Sequence, residues 1–169
     1  MRRVKIIIGC IVAFFIILSI IYYYPRKLIN EYSGVTYRLG DHNYMEYIKI
    51  NINGHYSRGI IKGDKFEGSM TIGDKQLSKI NLRFDEFGRG LLFFYDESTG
   101  DYHSYGDIFT KNGMNEITIC VLEEDDLRKG GQTWSSKYGL MISAPAESRV
   151  EAIEISNQLM TDVLHGELR

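Results

Sequence analysis

Residues 44–54 read Tyr-Met-Glu-Tyr-Ile-Lys-Ile-Asn-Ile-Asn-Gly. Ile48, Ile50 and Ile52 fall on one side of an extended chain, while Tyr47, Lys49 and Asn51 fall on the other. Successive side chains of a strand point to opposite faces, so this alternation is the signature of a half-buried strand. Asn53 and Gly54 then offer the two left-handed backbone positions of a tight hairpin turn.

The rhythm continues outward from that stretch. Gly63 and Asp64 separate Ile60 and Ile61 from Phe66, Met70 and Ile72, and Gly73 and Asp74 close that next run. The two Gly-Asp-Lys units lie ten residues apart, and because neither leads into a helix they read as repeated turn chemistry rather than phosphate loops. Further β-type runs cover 77–84, 91–95, 102–109, 114–122 and 138–142, with Asn112 and Gly113 as another hairpin signal. In the run 114–122, Ile117, Ile119 and Val121 share one face and Glu116, Thr118 and Cys120 the other. About eight short strands in succession predict an antiparallel meander, closed as a barrel or folded as a sandwich.

The character changes after Pro145, where a helix is expected over about 145–165. Val150, Ile153, Ile155, Leu159, Met160, Val163 and Leu164 would form its apolar face, with Glu151, Glu154, Gln158, Thr161 and Asp162 opposite. Such a helix is expected to pack on the sheet. A meander followed by an external helix resembles, in layout, the lipocalin-type and avidin-type barrels, which implies a carrier of small apolar molecules. The chain departs from the lipocalin pattern in having no Gly-x-Trp at its first strand, and its single tryptophan, Trp134, comes late. A core filled by Ile, Phe, Met and Leu fits the same pattern equally well.

Ahead of the β region, residues 6–24 form an apolar run without a charged residue, preceded by Arg2, Arg3 and Lys5. As a helix it would extend roughly 28 Å, close to the hydrocarbon thickness of a bilayer. The run ends in Tyr22, Tyr23, Tyr24 and Pro25 rather than in small residues, so a retained anchor is expected rather than a cleaved signal. Ile8, Gly9 and Cys10 do not form a lipobox, because the apolar stretch follows the cysteine instead of preceding it. The three tyrosines suit a membrane interface. Arg26 and Lys27 follow the run, leaving a small excess of basic residues before it, which favours a cytoplasmic N-terminus and an extracellular domain. The expected organisation is a basic tail at 1–5, a transmembrane helix at 6–24, a juxtamembrane linker at 25–43 and a β domain at 44–169.

Charge and cysteine content narrow the functional classes. From Asn30 onward there are 15 basic and 22 acidic residues, a formal charge of −7 against −2 for the whole chain. That balance argues against nucleic acid, which is held by clustered Lys and Arg, and against a domain lying flat on anionic lipid. Only Cys10 and Cys120 occur, one in the apolar run and one in the domain, and no Asn-x-Ser/Thr acceptor is present. The layout looks like that of small membrane-anchored proteins of Gram-positive bacteria, so a bacterial cell membrane is the expected location.

Candidate chemistry is sparse. His42, His55, His103 and His165 show no metal-ligand spacing, and no metal or cofactor is expected. Asp41 with His42, and Asp101 with His103, lie near Ser57, Ser98 and Ser104, but no serine sits in a Gly-x-Ser-x-Gly elbow. Asp85 with Glu86, and Asp96 with Glu97, offer carboxylate pairs of the kind glycosidases use, yet turn chemistry accounts for them more simply. The acidic run 123–126 has oxygens for calcium without the spacing of an EF-hand loop. No catalytic residue is therefore expected. Contact residues for a ligand or partner are expected to be Trp134, Tyr95, Tyr102, Tyr105 and Tyr138, gathered at one side of the sheet. The leading functional expectation is a non-enzymatic, single-pass anchored module that binds an envelope protein or component, with a small apolar ligand carrier and an envelope hydrolase as alternatives.

Overall fold

The computed structural model describes residues 2–59, 63–111, 113–124, 131–164 and 166–168. An N-terminal helix α1 (Arg2–Tyr23) leads into β1 (Arg26–Arg38), β2 (Asp41–Ser57), β3 (Lys65–Ile72), β4 (Lys75–Arg83), β5 (Arg89–Asp96), β6 (Asp101–Lys111) and β7 (Glu116–Val121). A small ribbon of β8 (Glu123–Glu124) and β9 (Gln132–Thr133) precedes β10 (Leu140–Ala144) and the helix α2 (Arg149–Met160). Eight strands pair antiparallel in the order β1-β10-β7-β6-β5-β4-β3-β2 and close into a barrel. The choice between barrel and sandwich thus resolves to the barrel.

Two apolar clusters lie on opposite sides of the barrel wall. The inner one contains Ile50, Ile52, Phe66, Met70, Leu77, Ile80, Leu82, Leu92, Ile108, Ile117, Ile119 and Ile142, all at most 3% exposed. These side chains fill the interior, as expected of a small eight-stranded barrel. The outer cluster, including Val35, Tyr37, Phe109, Cys120, Met141, Leu159 and Met160, lies beneath α2. Alternation on β7 therefore separates two cores: Ile117 and Ile119 face inward, while Thr118 and Cys120 face the helix.

Residues 25–43, expected as a linker, instead supply β1 and the turn into β2, so the barrel begins at Arg26 rather than Tyr44. β1 pairs with β2 from Arg26↔Tyr56 to Arg38↔Asp41. Its lower half has Leu28 and Tyr32 packed toward the inner cluster, but its upper half is buried on both faces, which blurs the alternation that marks a strand. Asn53 and Gly54 do not turn the chain either. Gly54 lies within β2, where an added Cβ would stand 2.3 Å from the Glu67 carbonyl oxygen and 2.7 Å from the Phe66 ring. Glycine is needed there for close approach across the sheet, not for left-handed backbone. Ile60 and Ile61, expected in a strand of their own, lie outside the described residues, as does Asn112 of the second hairpin signal.

α2 is shorter than the expected 145–165. Ser148 caps it, its side chain accepting from the Glu151 N–H, after a cis Ala144–Pro145 bond. The buried face is centred on Ala152, Ser156, Leu159 and Met160, while Val150 is 66% exposed, contrary to the expected face. Small residues at 152 and 156 let the helix backbone approach the barrel. There, Ser156 Oγ lies 2.6 Å from Tyr37 Oη, 2.8 Å from Ser143 Oγ and 3.1 Å from Thr118 Oγ1, and donates to the Ala152 carbonyl at 3.0 Å. The hydroxyls come from β1, β10 and β7, so the network ties three adjacent strands to one helix residue. Each such bond adds about 1 kcal/mol net, and leaving a buried partner unsatisfied costs about 1–3 kcal/mol.

α1 stands apart from both clusters. It is long and apolar enough to cross a membrane, and none of Ile6–Tyr23 is buried against the rest of the protein.

The closing contact between β1 and β10 passes through Gly34, whose added Cβ would meet the Ser143 carbonyl oxygen at 2.7 Å and Ala144 Cβ at 2.8 Å. Gly34→Val is expected to lower barrel stability by about 2–3 kcal/mol, within the range of overpacked cores, read as a shift in the urea midpoint of full-length protein in detergent. An unchanged midpoint would show that the seam tolerates a side chain.

Candidate functional site

The five expected contact residues separate into three places. Tyr95 on β5 pairs with Tyr102 on β6, and their rings meet edge to face at 5.3 Å. Tyr105 belongs to the same strand end, but a bulge between the Leu92↔Gly106 and Phe93↔Ser104 pairs leaves it as the extra residue. It packs against the inner cluster and meets Phe94 edge-on at 6.5 Å. Burial raises the Tyr105 phenol pKa above its ordinary value, consistent with a neutral plug in the barrel mouth.

This mouth lies at the end of the barrel away from α1, beside the turns β3–β4 and β5–β6. Lys75 Nζ sits 4.7 Å from the Phe94 ring centre and 5.2 Å from that of Tyr105. Lys79 Nζ sits 3.7 Å from the Tyr95 ring centre. A bulge in β4 opposite Gly68 and Met70, with Lys79 at φ 50°, brings that lysine to the outer rim. Ser78 Oγ donates to the Tyr95 carbonyl at 2.8 Å and fixes the β4–β5 edge. Between these strands is a cleft of about 390 Å³ lined by Lys75, Gln76, Phe94, Tyr95, Asp96 and Glu97, among others. Aromatic faces holding ammonium groups beside carboxylates give it contacts for both charged and apolar groups.

Below Tyr95 the outer face of β5 carries Phe93 and Leu91, 44% and 54% exposed, and Tyr102 beside them is 61% exposed. The outer face of a solvated antiparallel strand is ordinarily polar, and contiguous exposed apolar groups mark interaction surfaces. Lys75, Lys79, Leu91 and Phe93 were not among the expected contacts. The signal for the last two was in the run Leu91-Leu92-Phe93-Phe94-Tyr95, which is apolar at every position and so apolar on both faces of a strand.

Trp134 and Tyr138 make no ring contact with this group among the described residues. Trp134 packs on the outer cluster and lines a cavity of about 520 Å³ with Phe109, Cys120, Met160, Val163 and Leu164. The Arg89–Asp107 ion pair, 2.7 Å long, forms its polar end. Tyr138 lies against Gly40 at the β1–β2 turn, with Lys137 over its ring at 4.9 Å and its carbonyl accepting from Arg38 at 3.0 Å. The grouping of all five residues at one side of the sheet is therefore corrected, because Trp134 packs beside α2 and Tyr138 against the β1–β2 turn, not beside β5.

Asp41, Asp85 and Asp96, three of the carboxylates considered for catalysis, serve local turns. Asp85 accepts from the Phe87 and Arg89 N–H groups at 2.9 Å, and Asp41 from the Asn43 N–H at 3.0 Å. Asp96 accepts from Ser98 Oγ at 2.6 Å and Ser98 N–H at 2.8 Å, bonds that hold its carboxyl below the usual range. His103 Nε2 meets Thr99 Oγ1 at 2.9 Å. Glu123 is gripped by both Arg38 Nη atoms at 2.6 and 3.0 Å, and this hydrogen bonding lowers its pKa. Asp125, Asp126 and His165 lie outside the described residues, and among those described no three His, Cys, Asp or Glu side chains converge.

No protein-family model, curated protein or solved structure matches this chain.

Cys120 lies under α2, its sulfur 4.0 Å from Met160 Sδ, and burial, reinforced by Asp107 and opposed by Arg89, pushes its thiol pKa up. Thiolate is the reactive form. Iodoacetamide at pH 8 is expected to label Cys120 in the folded protein about tenfold or more slowly than in urea, with Ser156→Leu accelerating the folded-state reaction. Equal rates in both states, read by peptide mass, would show that α2 does not cover the thiol.

Proposed function

We propose that the protein is a single-pass membrane-anchored module, N-terminus cytoplasmic, whose extracytoplasmic barrel binds another envelope protein without catalysing a reaction on it. The observation that carries this reading is the exposed trio Leu91, Phe93 and Tyr102, flanking a half-buried Tyr95 on a barrel whose interior is filled. Apolar rings and aliphatic chains flanked by lysines and carboxylates match a protein partner with an apolar centre and a charged rim. α1 is the anchor in this reading, and tethering both partners to one membrane raises their effective concentration.

The test is affinity capture after mild crosslinking in native membranes. Wild-type protein is compared with the pair Leu91→Lys and Phe93→Lys, and with a version carrying an unrelated span in place of residues 6–24. A discrete protein is expected with wild type and with the replaced span, and about tenfold less of it with the lysine pair, since both substituted positions are exposed. Equal recovery by the lysine pair would remove this surface from the reading, and enrichment of polymer instead of protein would overturn the class of partner.

One observation favours a second reading, a small apolar ligand held outside the barrel: the cavity bounded by Trp134, Phe109, Met160, Val163 and Leu164. In that case an apolar fluorescent probe would change Trp134 emission, and Leu164→Trp or Val163→Trp would block the change. A probe that leaves Trp134 emission untouched at saturation counts against it.

A further inference from the structure

The domain is acidic, yet the end of the barrel nearest α1 carries a local patch of the opposite sign. Between the end of α1 and the barrel mouth lies a cleft of about 220 Å³ lined by Tyr22, Tyr24, Arg26, Lys27, Leu28, Tyr56, Arg58 and Gly113. Three of these eight are cationic and none is acidic. Asp64, bonded to the cleft residue Tyr56, accepts from the Tyr56 hydroxyl and from the Gly59 N–H at 3.1 Å. No ion pair of Arg26, Lys27 or Arg58 is present among the described residues. Arg58 instead lies over the Tyr22 ring, 4.5 Å from its centre, which bridges the barrel to the last turn of α1. Arg26 and Lys27 open β1 directly opposite Tyr56 and His55 on β2.

We infer that this cleft is a binding site for the phosphate of an anionic phospholipid headgroup. The inference rests on reading α1 as a membrane span, since that places the cleft at the level where its tyrosines meet the interface. Arg58, fixed by stacking on Tyr22, presents a planar fork suited to phosphate, while Arg26 and Lys27 supply further charge. Tyr22, Tyr24 and Leu28 give the glycerol and upper acyl carbons an apolar wall. The negative charge of the remaining domain repels an anionic surface, so binding is confined to this rim and the barrel stands upright on its anchor instead of lying against the bilayer.

Full-length protein in detergent, supplied with equal phosphatidylglycerol and phosphatidylcholine, is to be analysed by native mass spectrometry. One phosphatidylglycerol is expected to remain bound in preference to phosphatidylcholine by about tenfold, and to be lost with Arg26→Ala, Lys27→Ala and Arg58→Ala, each removed charge costing about fivefold in retention. Arg58→Lys should retain the lipid less well than wild type but better than Arg58→Ala. Equal retention of both lipids by wild type overturns the site, as does retention by the triple variant. Displacement of the lipid by millimolar inorganic phosphate would assign the cleft to a free anion rather than to a lipid. Flotation with vesicles of phosphatidylcholine alone reads the anchor separately: failure to float refutes the span, while flotation without headgroup preference refutes only the site.

Discussion

Closure of the barrel is the constraint on which the remaining structure depends. Six of the eight strand pairings join consecutive strands, and a seventh joins β7 to β10 across the small β8–β9 ribbon. The eighth joins β1 to β10 across more than a hundred residues and only four register positions, Val35↔Ser143 to Arg38↔Leu140. So short a seam gives few backbone hydrogen bonds for a large loss of chain entropy. α2 compensates by crossing the outside of the seam. Through Ser156 it contacts hydroxyls on β1, β10 and β7 together, and its Leu159 and Met160 share an outer core with Val35, Tyr37 and Met141.

This arrangement explains which sequence signals were legible. The run 47–52 alternates cleanly because one face of β2 meets the filled interior and the other meets solvent. Where α2 covers the barrel, both faces of a strand are buried, and alternation fades into continuous burial: β1 shows it at Gly34, Val35, Thr36 and Tyr37, and β10 at Met141, Ile142, Ser143 and Ala144. The same fading of alternation hides β1 within the segment 25–43 expected as a linker. Asn53-Gly54 misled for a related reason, since glycine serves close strand approach as well as turns, and only the neighbouring Phe66 ring and Glu67 carbonyl distinguish the two.

The site was legible only in part. Tyr95 and Tyr102 sit on adjacent strands joined by a short turn, so their proximity followed from local order. Trp134 and Tyr138 are placed by contacts distant in sequence, Trp134 with the outer cluster under α2 and Tyr138 with the β1–β2 turn, and neither contact leaves a local trace. The lysines over Phe94, Tyr95 and Tyr105 were hidden because their placement depends on the β4 bulge and on the β3–β4 turn.

A filled interior also decides where recognition can occur. Lipocalin-like layout suggests an internal ligand, but Phe66, Met70, Leu77, Leu82 and Leu92 occupy that space, each at most 1% exposed. Making room inside would mean truncating packed side chains at about 2–5 kcal/mol apiece, a large share of the stability of a domain this size. The outer wall is already divided, with α2 covering β1, β10, β7 and part of β6. The exposed apolar groups Leu91 and Phe93 fall on β5, immediately beyond the reach of the helix. That surface lies outside the protein's own helix and yet keeps the apolar composition of the wall that α2 covers, which is why the proposed reading places a partner's element there and not inside the barrel.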